Sequence, residues 1–331
     1  MEQFVVAGDI GGTKTAMGCF STEAGPCAPV HEHVYRTNEW KSFRDLIADF
    51  LKQVNCRPAA ACFGIPGPIA DRRAEVTVNV RWPIDARDIG GLFGHDRIDL
   101  VNDIQAMALG VLVAPEAGLA TINEGEPEPV ANRGLVAAGT GLGHAMLVHD
   151  RGHWIAVASE AGHADFSPNS EIEVDLLRYL WDIYGRISKE RVLSGPGLYH
   201  IYQFLRDTGR AAEPDWLARE MEGGDPGAII SKHGLGDDEP LCARTLDLFV
   251  QIYGAQAGDY ALTTMSRGGI YLGGGIAPKI LPRLRRAEFM NGFTNKGRLS
   301  ELIKQIPVKV ILETRIPLWG AASRAMEIMN E

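Results

Sequence analysis

Cysteine is scarce in this chain of 331 residues: the sequence has five, and they are scattered. No two of them stand in a C-x-x-C pair and their number is odd, which excludes a full disulfide framework and gives no zinc signature. We therefore expect reduced thiols and a cytoplasmic protein. The five are Cys19, Cys27, Cys56, Cys62 and Cys242.

Long apolar runs and an excess of basic charge are also missing. No run approaches the roughly 18 apolar residues that suggest a membrane span, and no basic segment precedes an apolar core at the start, so no secretory signal peptide is predicted. The formal net charge of -9 argues against a nucleic-acid partner and against an anionic membrane surface. Backbone amides can still hold a small anion locally.

The chain has the composition of a globular protein, with 45% hydrophobic and 23% charged residues, and its length suits two cores better than one. Hydrophobic periodicity predicts the same order of elements twice. The first block has strands at 4–10, 14–21, 30–37, 60–64 and 98–101, with helices at 43–54, 85–92 and from about 104. The second has strands at 134–138, 143–149, 154–158, 269–272 and 308–312, with helices from 170, after 197, over about 242–265 and from about 318.

Two similar blocks, each opened by a hairpin with a glycine-rich turn, predict a duplicated α/β fold with a cleft between its halves. The predicted domains are a small one, residues 1–112 plus 317–331, and a large one, residues 113–316. In the helix from Ser170, Ser170 and Glu173 match a capping box, and Leu177, Leu180, Trp181 and Tyr184 are expected on one face.

The first glycine turn, Gly8–Thr13, follows a strand that carries Asp9. Its glycines allow a tight turn whose free N–H groups and Thr13 hydroxyl suit phosphate oxygens, with Asp9 placed for Mg²⁺. The segment is not a P-loop, because Thr13 stands where that pattern requires glycine. An ordinary Gly-Gly hairpin is the alternative for this turn taken alone.

The second glycine turn, Gly139–Gly143, occupies the equivalent place in the second block. It does not match G-x-G-x-x-G, so neither a dinucleotide-binding nor a protein-kinase loop is supported. Two such turns at equivalent places are less easily explained by chance than one, and together they could hold a triphosphate from two sides. The third glycine turn, Gly273–Gly275, ends a late strand and allows either close approach of a flat ring or a tight connection.

Carboxylates and an imidazole mark the remaining candidate sites. Asp103 follows Asn102 where a strand passes into a helix, so it is either a helix N-cap or a general base for phosphoryl transfer to a hydroxyl. Glu160, His163 and Glu190 lie in loops, where such groups bind sugar hydroxyls through charge-assisted hydrogen bonds. A Glu-x-x-His pair is also compatible with a metal site or with a loop hydrogen bond.

In their order along the chain, these segments resemble the bacterial glucokinase family of the hexokinase/actin-like ATPase superfamily. The matching segments are Gly8–Thr13, Val101–Asp103, Ala138–Gly143, Glu160–Phe166, Pro168–Glu171, Glu190–Gly197 and Gly273–Pro278. Those that begin at Glu160 and Glu190 are long and specific. The resemblance implies the duplicated two-domain actin-like ATPase (ribonuclease H-like) fold, a homodimer, and phosphorylation of D-glucose at O6 by ATP with Mg²⁺.

The resemblance also implies residue roles. Asp103 is expected to be the base on the glucose 6-hydroxyl, with Asn102 positioning the sugar. Glu160, His163 and Glu190 are expected to hold ring hydroxyls, and Asn79 matches a sugar-side segment more loosely. Asp9 would contact Mg²⁺ through water. The expected ATP-binding residues are Gly8, Asp9, Ile10, Gly11, Gly12, Thr13, Gly139, Thr140, Gly141, Gly143, Gly273, Gly274 and Gly275.

Two positions depart from that family's pattern. Lys14 stands where asparagine is usual, and Thr-Lys there is common in the related repressor, open-reading-frame and kinase family. That family carries a cysteine-rich zinc cluster soon after the Glu-x-Gly-His motif, whereas no cysteine follows His163 until Cys242. Ala161 stands where glycine is more usual.

The alternative functions are a kinase for mannose, fructose or N-acetylglucosamine, and a non-catalytic sugar sensor.

Overall fold

The computed structural model describes residues 2–54, 56–74 and 80–330, which form a mixed α/β fold. The strands are β1 (Phe4–Ile10), β2 (Lys14–Ser21), β3 (Pro29–Arg36), β4 (Ala60–Ile65), β5 (Arg73–Ala74), β6 (Ile84–Asp85), β7 (Ile98–Asn102), β8 (Leu119–Asn123), β9 (Arg133–Ala138), β10 (Leu142–Asp150), β11 (His153–Ser159), β12 (Gly269–Gly273) and β13 (Val308–Ile311).

The helices are α1 (Phe43–Gln53), α2 (Ala86–Phe93), α3 (Asp103–Val113), α4 (Glu171–Tyr184), α5 (Gly195–Asp207), α6 (Asp215–Gly223), α7 (Pro226–Gly234), α8 (Pro240–Thr264), α9 (Leu281–Leu284), α10 (Ala287–Thr294), α11 (Ser300–Lys304) and α12 (Ile316–Ile328). Across the described ranges, no helix is both long and apolar enough to span a membrane.

One sheet has five strands in the order β3-β2-β1-β4-β7. Strand β1 is antiparallel to β2 and parallel to β4, which is in turn parallel to β7. Asp9 of β1 pairs with Gly64 of β4, and Ile65 of β4 pairs with Asn102 of β7. The parallel strands therefore deliver Asp9 and Asn102 to the same edge of the sheet.

The other large sheet has six strands in the order β11-β10-β9-β12-β13-β8. Strand β12 is parallel to both β9 and β13, and Gly273 at its end pairs with Ala137 near the end of β9. The second and third glycine turns therefore leave neighbouring strand ends. Strands β5 and β6 form a separate two-stranded ladder.

The chain divides into two compact units, each with its own apolar core. The first unit comprises Met1–Leu119, Ala145–Ala158 and Glu313–Glu331, and the second comprises Ala120–His144 and Ser159–Leu312. Phe43, Phe50 and Phe63 belong to the core of the first unit. The core of the second is built on β9, β12 and the helices that pack against them, α8 above all.

Helix α3, which begins at Asp103, packs against α12 with their backbones nearly touching. A Cβ at Gly110 would lie 2.0 Å from the carbonyl oxygen of Ile316, and one at Gly320 would lie 1.8 Å from that of Ala106. Any larger residue would force the helices apart, since real Cβ atoms do not approach so closely. This contact holds the start of α3 in place.

Helix α4 begins as expected, but its buried positions include just one of the four residues expected on one face. Ser170 is its N-cap and accepts a hydrogen bond from the Glu173 amide, while the Glu173 carboxylate accepts from the Asn169 amide. Of the four residues expected on one face, Leu180 is buried, whereas Trp181 and Tyr184 are 58% and 40% exposed. The buried positions are Glu173, Leu176 and Leu180, one helical stripe further round.

Candidate active site

The first glycine turn joins β1 to β2. The Gly11 amide donates to the Lys14 carbonyl at 2.9 Å, and a Cβ at Gly11 would lie 2.8 Å from that same oxygen. Glycine is therefore required at this position if the turn is to stay tight. Thr13 is exposed at the turn, whereas Ile10 just before it belongs to the core.

Asp9 lies partly buried at the end of β1, beside the start of α3. Loss of contact with water raises the pKa of its carboxyl to about 7, and the negative charge of Asp103 contributes to the rise. Gly64 on the neighbouring strand keeps this region compact, since a Cβ there would lie 3.0 Å from that of Ala106 and 3.7 Å from the Cα of Asp103. The site thus holds two carboxylates that repel each other.

Asn102, and not Asp103, is the N-cap of α3. The Asn102 side chain accepts from the Ile104 amide at 2.9 Å, and Gln105 accepts from the Asn102 amide at 3.0 Å, which completes a capping box. The Asn102 amide group also donates to the Gly67 carbonyl at 3.2 Å. The interpretation of Asp103 as an N-cap is therefore wrong, and Asp103 is the first residue of the helix.

The second glycine turn is closed by its own backbone and held by the start of α5. The Gly139 amide donates to the Gly141 carbonyl at 2.8 Å, and the Gly195 amide, at the start of α5, donates to the Gly139 carbonyl at 2.8 Å. The third glycine turn lies directly beside it. Gly274 has a φ of +80°, and a Cβ there would lie 2.2 Å from the Ala138 carbonyl oxygen.

Glu190 contacts the second glycine turn. Its Oε2 accepts from the Leu142 amide at 2.9 Å, and a Cβ at Gly141 would lie 2.5 Å from the same oxygen. The Glu190 amide donates to the Gly162 carbonyl at 2.9 Å. Residues 141, 162 and 190, far apart in the sequence, therefore form one cluster.

The imidazole of His163 lies between two carboxylates. Its Nε2 is 3.9 Å from Glu160 Oε2, and its Nδ1 is 3.9 Å from Glu190 Oε1. Arg186 holds the loop by donating to the His163 carbonyl at 2.7 Å. The structure thus brings together the three residues that the sequence predicts for sugar hydroxyls, with oxygens and nitrogens exposed enough to bind a ligand.

A buried histidine that the sequence did not single out lies behind the second glycine turn. His144 is 1% exposed, its Nε2 is 3.3 Å from the side-chain amide nitrogen of Gln256, and its ring meets the Tyr260 ring edge-on. Burial lowers its pKa to about 3, and the charge of Lys189 acts in the same direction. The ring is therefore neutral and adds no charge next to the turn.

Most of the predicted site residues fall into two groups. In the first unit, Gly8, Asp9, Gly11, Gly12 and Thr13 lie with Asn102 and Asp103 at one sheet edge. The second unit holds the other group, in which Glu160, His163 and Glu190 adjoin the second and third glycine turns (Gly139, Thr140, Gly141, Gly143, Gly273, Gly274 and Gly275). Asn79, the loosest of the predictions, lies outside the described residues.

Known proteins match this chain over almost its whole length. A family model described as Glucokinase matches residues 6–328. A protein named glucokinase from Nostoc punctiforme is 39% identical over 333 residues, covering 96% of this chain and 97% of that protein.

Solved structures agree with the sequence relatives. The crystal structure of a glucokinase from an Antarctic psychrotroph has a TM-score of 0.85 and 26% identity, covering 98% of this chain and 99% of that one. A glucokinase from Balamuthia mandrillaris, solved in complex with glucose, has a TM-score of 0.78 and 21% identity, covering 98% and 94%, and shows likeness of fold.

Proposed function

The chain belongs to the glucokinase family, and from this premise we propose what each residue of the candidate site does in the reaction. The activity is ATP-dependent phosphorylation of D-glucose, the reaction of a hexose kinase. The observation that carries the assignment of the base is the place of Asp103: it begins α3 at the sheet edge that also holds Asp9, while Asn102 supplies the helix cap.

In the proposed mechanism, Asp103 accepts the proton of the glucose 6-hydroxyl. The O6–phosphorus bond forms as the bond from the γ-phosphorus to its bridging oxygen breaks, and ADP leaves with that bond's electron pair. An aspartate is a weak base, but it suits a loose transition state in which the proton leaves late. Asp103 Oδ1 already accepts from the Ile104 amide at 2.9 Å, which restrains the carboxylate's rotation.

Glu160, His163 and Glu190 are proposed to hold the ring hydroxyls of glucose. Two carboxylates on either side of an imidazole offer four acceptor oxygens and a ring nitrogen within a few ångströms. Sugar hydroxyls both donate and accept, and bonds to ionised groups are the stronger ones. Asn102 is proposed to position the sugar through its second side-chain N–H, the one that does not donate to the Gly67 carbonyl. The sugar-side role of Asn79 stays a prediction from the resemblance.

The three glycine turns are proposed to bind ATP. The first and second turns would hold the phosphates through backbone N–H groups, and the third would lie against the adenosine. The contact of Gly274 with the Ala138 carbonyl supports a shared nucleotide site, since it brings the second and third turns together. Backbone amides suit a protein of net charge -9, because they attract phosphate without a basic surface.

Mg²⁺ fits this site as an ion that arrives with ATP. Within the described part of the chain, no three His, Cys, Asp or Glu side chains form a group able to hold a metal. Asp9 supplies a carboxylate of the kind that Mg²⁺ takes beside phosphate oxygens and water. When bound, the ion would neutralise phosphate charge, and Asp9, whose raised pKa reflects an unfavourable charge, would hold it through water.

We further propose the duplicated actin-like ATPase fold. Its support is the strand order: with each block's strands numbered from its own start, both large sheets run third, second, first, fourth, fifth, and β8 adds a sixth strand to one of them. The predicted domain limits, at 112/113 and 316/317, and the predicted cleft between the halves stay predictions.

A cytoplasmic homodimer is also proposed, from the family resemblance. Helix α4 offers an apolar surface that a second copy could cover, since Trp181 and Ile183 are 58% and 55% exposed. Sedimentation at micromolar concentration should give twice the chain mass of 36.0 kDa. A Trp181→Lys variant that sediments like the wild type would exclude this surface from the interface.

The substrate assignment is tested with a panel of hexoses. Purified protein is assayed for ADP release with D-glucose, mannose, fructose and N-acetylglucosamine, each with Mg·ATP. Glucose is expected to give the highest kcat/KM. This quantity is compared because its ratio between two sugars measures how differently the enzyme binds their transition states. Another hexose with a higher kcat/KM would replace glucose as the substrate, and binding of glucose without turnover would indicate a sugar sensor.

A further inference from the structure

Thr37 is a buried residue that makes three hydrogen bonds around the first glycine turn. Its hydroxyl donates to the Gly11 carbonyl at 2.7 Å, and its amide donates to the Thr13 carbonyl at 3.1 Å. Its Oγ1 also lies 2.9 Å from that of Thr15. Both threonines are at most 1% exposed, so water does not compete for these bonds.

These contacts fix the direction of a short hydrogen-bond chain. A hydroxyl has one proton to donate, and the Gly11 carbonyl can only accept, so the Thr37 proton points at Gly11. The proton between the two hydroxyls therefore comes from Thr15. The chain runs from Thr15 through Thr37 to the Gly11 carbonyl, and each of its groups has a partner.

The Gly11 carbonyl determines where the next amide points. In a planar trans peptide, the C=O of one residue and the N–H of the next point in opposite directions. Because the Gly11 carbonyl is held toward buried Thr37, the Gly12 N–H is directed away from Thr37. The Gly11 N–H is already bonded to the Lys14 carbonyl and is not available to a ligand.

We propose that Thr37 is a positioning residue for ATP: through the Gly11 carbonyl it holds the Gly12 N–H in the direction of a phosphate oxygen. The inference rests on the proposed function, in which the first glycine turn binds the phosphates. Without the Thr37 hydroxyl, the Gly11–Gly12 peptide is free to rotate, and the amide must be ordered when ATP binds. Pre-organisation of this kind improves affinity by reducing the cost of ordering.

The test compares Thr37→Val, which removes the hydroxyl at nearly constant volume, with Thr37→Ser, which keeps it. Thr245→Val is the matched control, since Thr245 is fully buried and its hydroxyl donates to the Leu241 carbonyl at 2.7 Å within α8. For each protein, KM is measured for ATP and for glucose, and calorimetry gives the Kd for AMPPNP, an ATP analogue that is not turned over.

Thr37→Val is expected to raise the KM for ATP and the Kd for AMPPNP on the order of tenfold, with the KM for glucose within about twofold of the wild type. Thr37→Ser and Thr245→Val should both keep the wild-type Kd within about twofold. If Thr37→Val does not fold, Thr15→Val replaces it. A smaller rise, of about threefold, is then expected, because the Thr37 hydroxyl loses its partner Thr15 but still donates to the Gly11 carbonyl.

Equal effects of Thr37→Val and Thr37→Ser on the Kd would overturn the proposal, since the methyl packing and not the hydroxyl would then matter. Equal rises in KM for ATP and for glucose would overturn it as well. Failure of the wild type to bind AMPPNP would instead refute the proposed function. Tight binding by the wild type and by Thr37→Val alike would refute the role of Thr37 alone.

Discussion

The backbone amide of Leu142 donates to Oε2 of Glu190 at 2.9 Å, so one hydrogen bond joins the second glycine turn to the group formed by Glu160, His163 and Glu190. The other oxygen of the same carboxylate lies 3.9 Å from His163. A residue assigned to the sugar is thus held by a turn assigned to the nucleotide. Changes in the turn should therefore alter sugar binding.

Gly141→Ala should raise the KM for glucose, on the order of tenfold. The new Cβ would lie 2.5 Å from Glu190 Oε2, and the flexible carboxylate must move to relieve the clash. Steady-state kinetics with glucose varied at saturating ATP measures the effect. Gly223→Ala is the control, because a Cβ at Gly223 meets nothing within 4 Å. An unchanged KM for glucose in Gly141→Ala would argue against a sugar-binding role for Glu190.

Asp103→Asn should lower kcat by between about 100-fold and about 10,000-fold, the usual contribution of a general base. Asparagine has nearly the same shape and keeps an oxygen that can accept from the Ile104 amide, so the start of α3 should be preserved. Coupled assays give kcat, and calorimetry should show glucose affinity within a few-fold of the wild type. Asp45→Asn, in the exposed first turn of α1, serves as the control. Turnover within about tenfold of the wild type would remove Asp103 as the base.

Asp9→Asn should stabilise the protein above pH 7 in the absence of nucleotide and metal, while reducing its activity. The pKa of Asp9 is about 7 in the folded state against 3.8 for the free side chain. Between these values the folded state binds more protons than the unfolded state, so the wild type loses stability as pH rises from about 4 to about 7. Three pKa units correspond to about 4 kcal/mol, an upper limit for a partly exposed group.

Thermal unfolding of wild type and Asp9→Asn from pH 4 to pH 8 measures this difference. The gap in melting temperature should be close to zero near pH 4, widen up to about pH 7 and stay constant above it. Asp45→Asn is measured alongside as the surface control. A gap that is independent of pH would mean that the Asp9 carboxyl titrates normally in the folded protein.

Gly64→Ala should destabilise the protein by about 1–3 kcal/mol, as is usual for an over-packed site. Its Cβ would lie 3.0 Å from the Ala106 Cβ, inside ordinary contact distance, and would press on the start of α3. Urea unfolding gives the free energy, and kcat should fall because Asp103 moves with the helix. Gly91→Ala in α2, where a Cβ meets nothing within 4 Å, is the comparison. Equal stabilities of the two variants would show that the helix yields without cost.

Much of the framework could be predicted from the sequence, because strand and helix periods are local signals. The bounds of β1 and β2 match the predicted strands, and α8 lies within two residues of its expected limits. The short helices α6, α7, α10 and α11 were not predicted, since so few turns give little periodicity. For α4, periodicity placed Leu180, Trp181 and Tyr184 on one face, but it could not show which stripe packs on the core, and Trp181 and Tyr184 are exposed.

The site was harder to predict where it depends on contacts between distant residues. The clustering of Glu160, His163 and Glu190 followed from the family resemblance, and the structure shows the three together. The Asn102–Gln105 capping box is a local pattern, but Asp103 next to it is an equally good N-cap residue type, so the sequence alone did not place the cap. Thr37 gave no local signal, since its partner Gly11 lies 26 residues away and threonine at a strand end is unremarkable by itself.

The glycine contact between α3 and α12 also bears on how the protein is made. Ile316 follows Gly110 by about 200 residues, and the whole of the second unit is translated between them. After α3 has left the ribosome, the whole second unit must be synthesised before α12 emerges and can pack against α3. The first unit of the nascent chain therefore stays incomplete for most of the synthesis. Such distant pairing slows folding, and it leaves the apolar face of α3 exposed until α12 has been synthesised. Recombinant expression should therefore benefit from slower growth or added chaperones more than the stability of the finished fold would suggest.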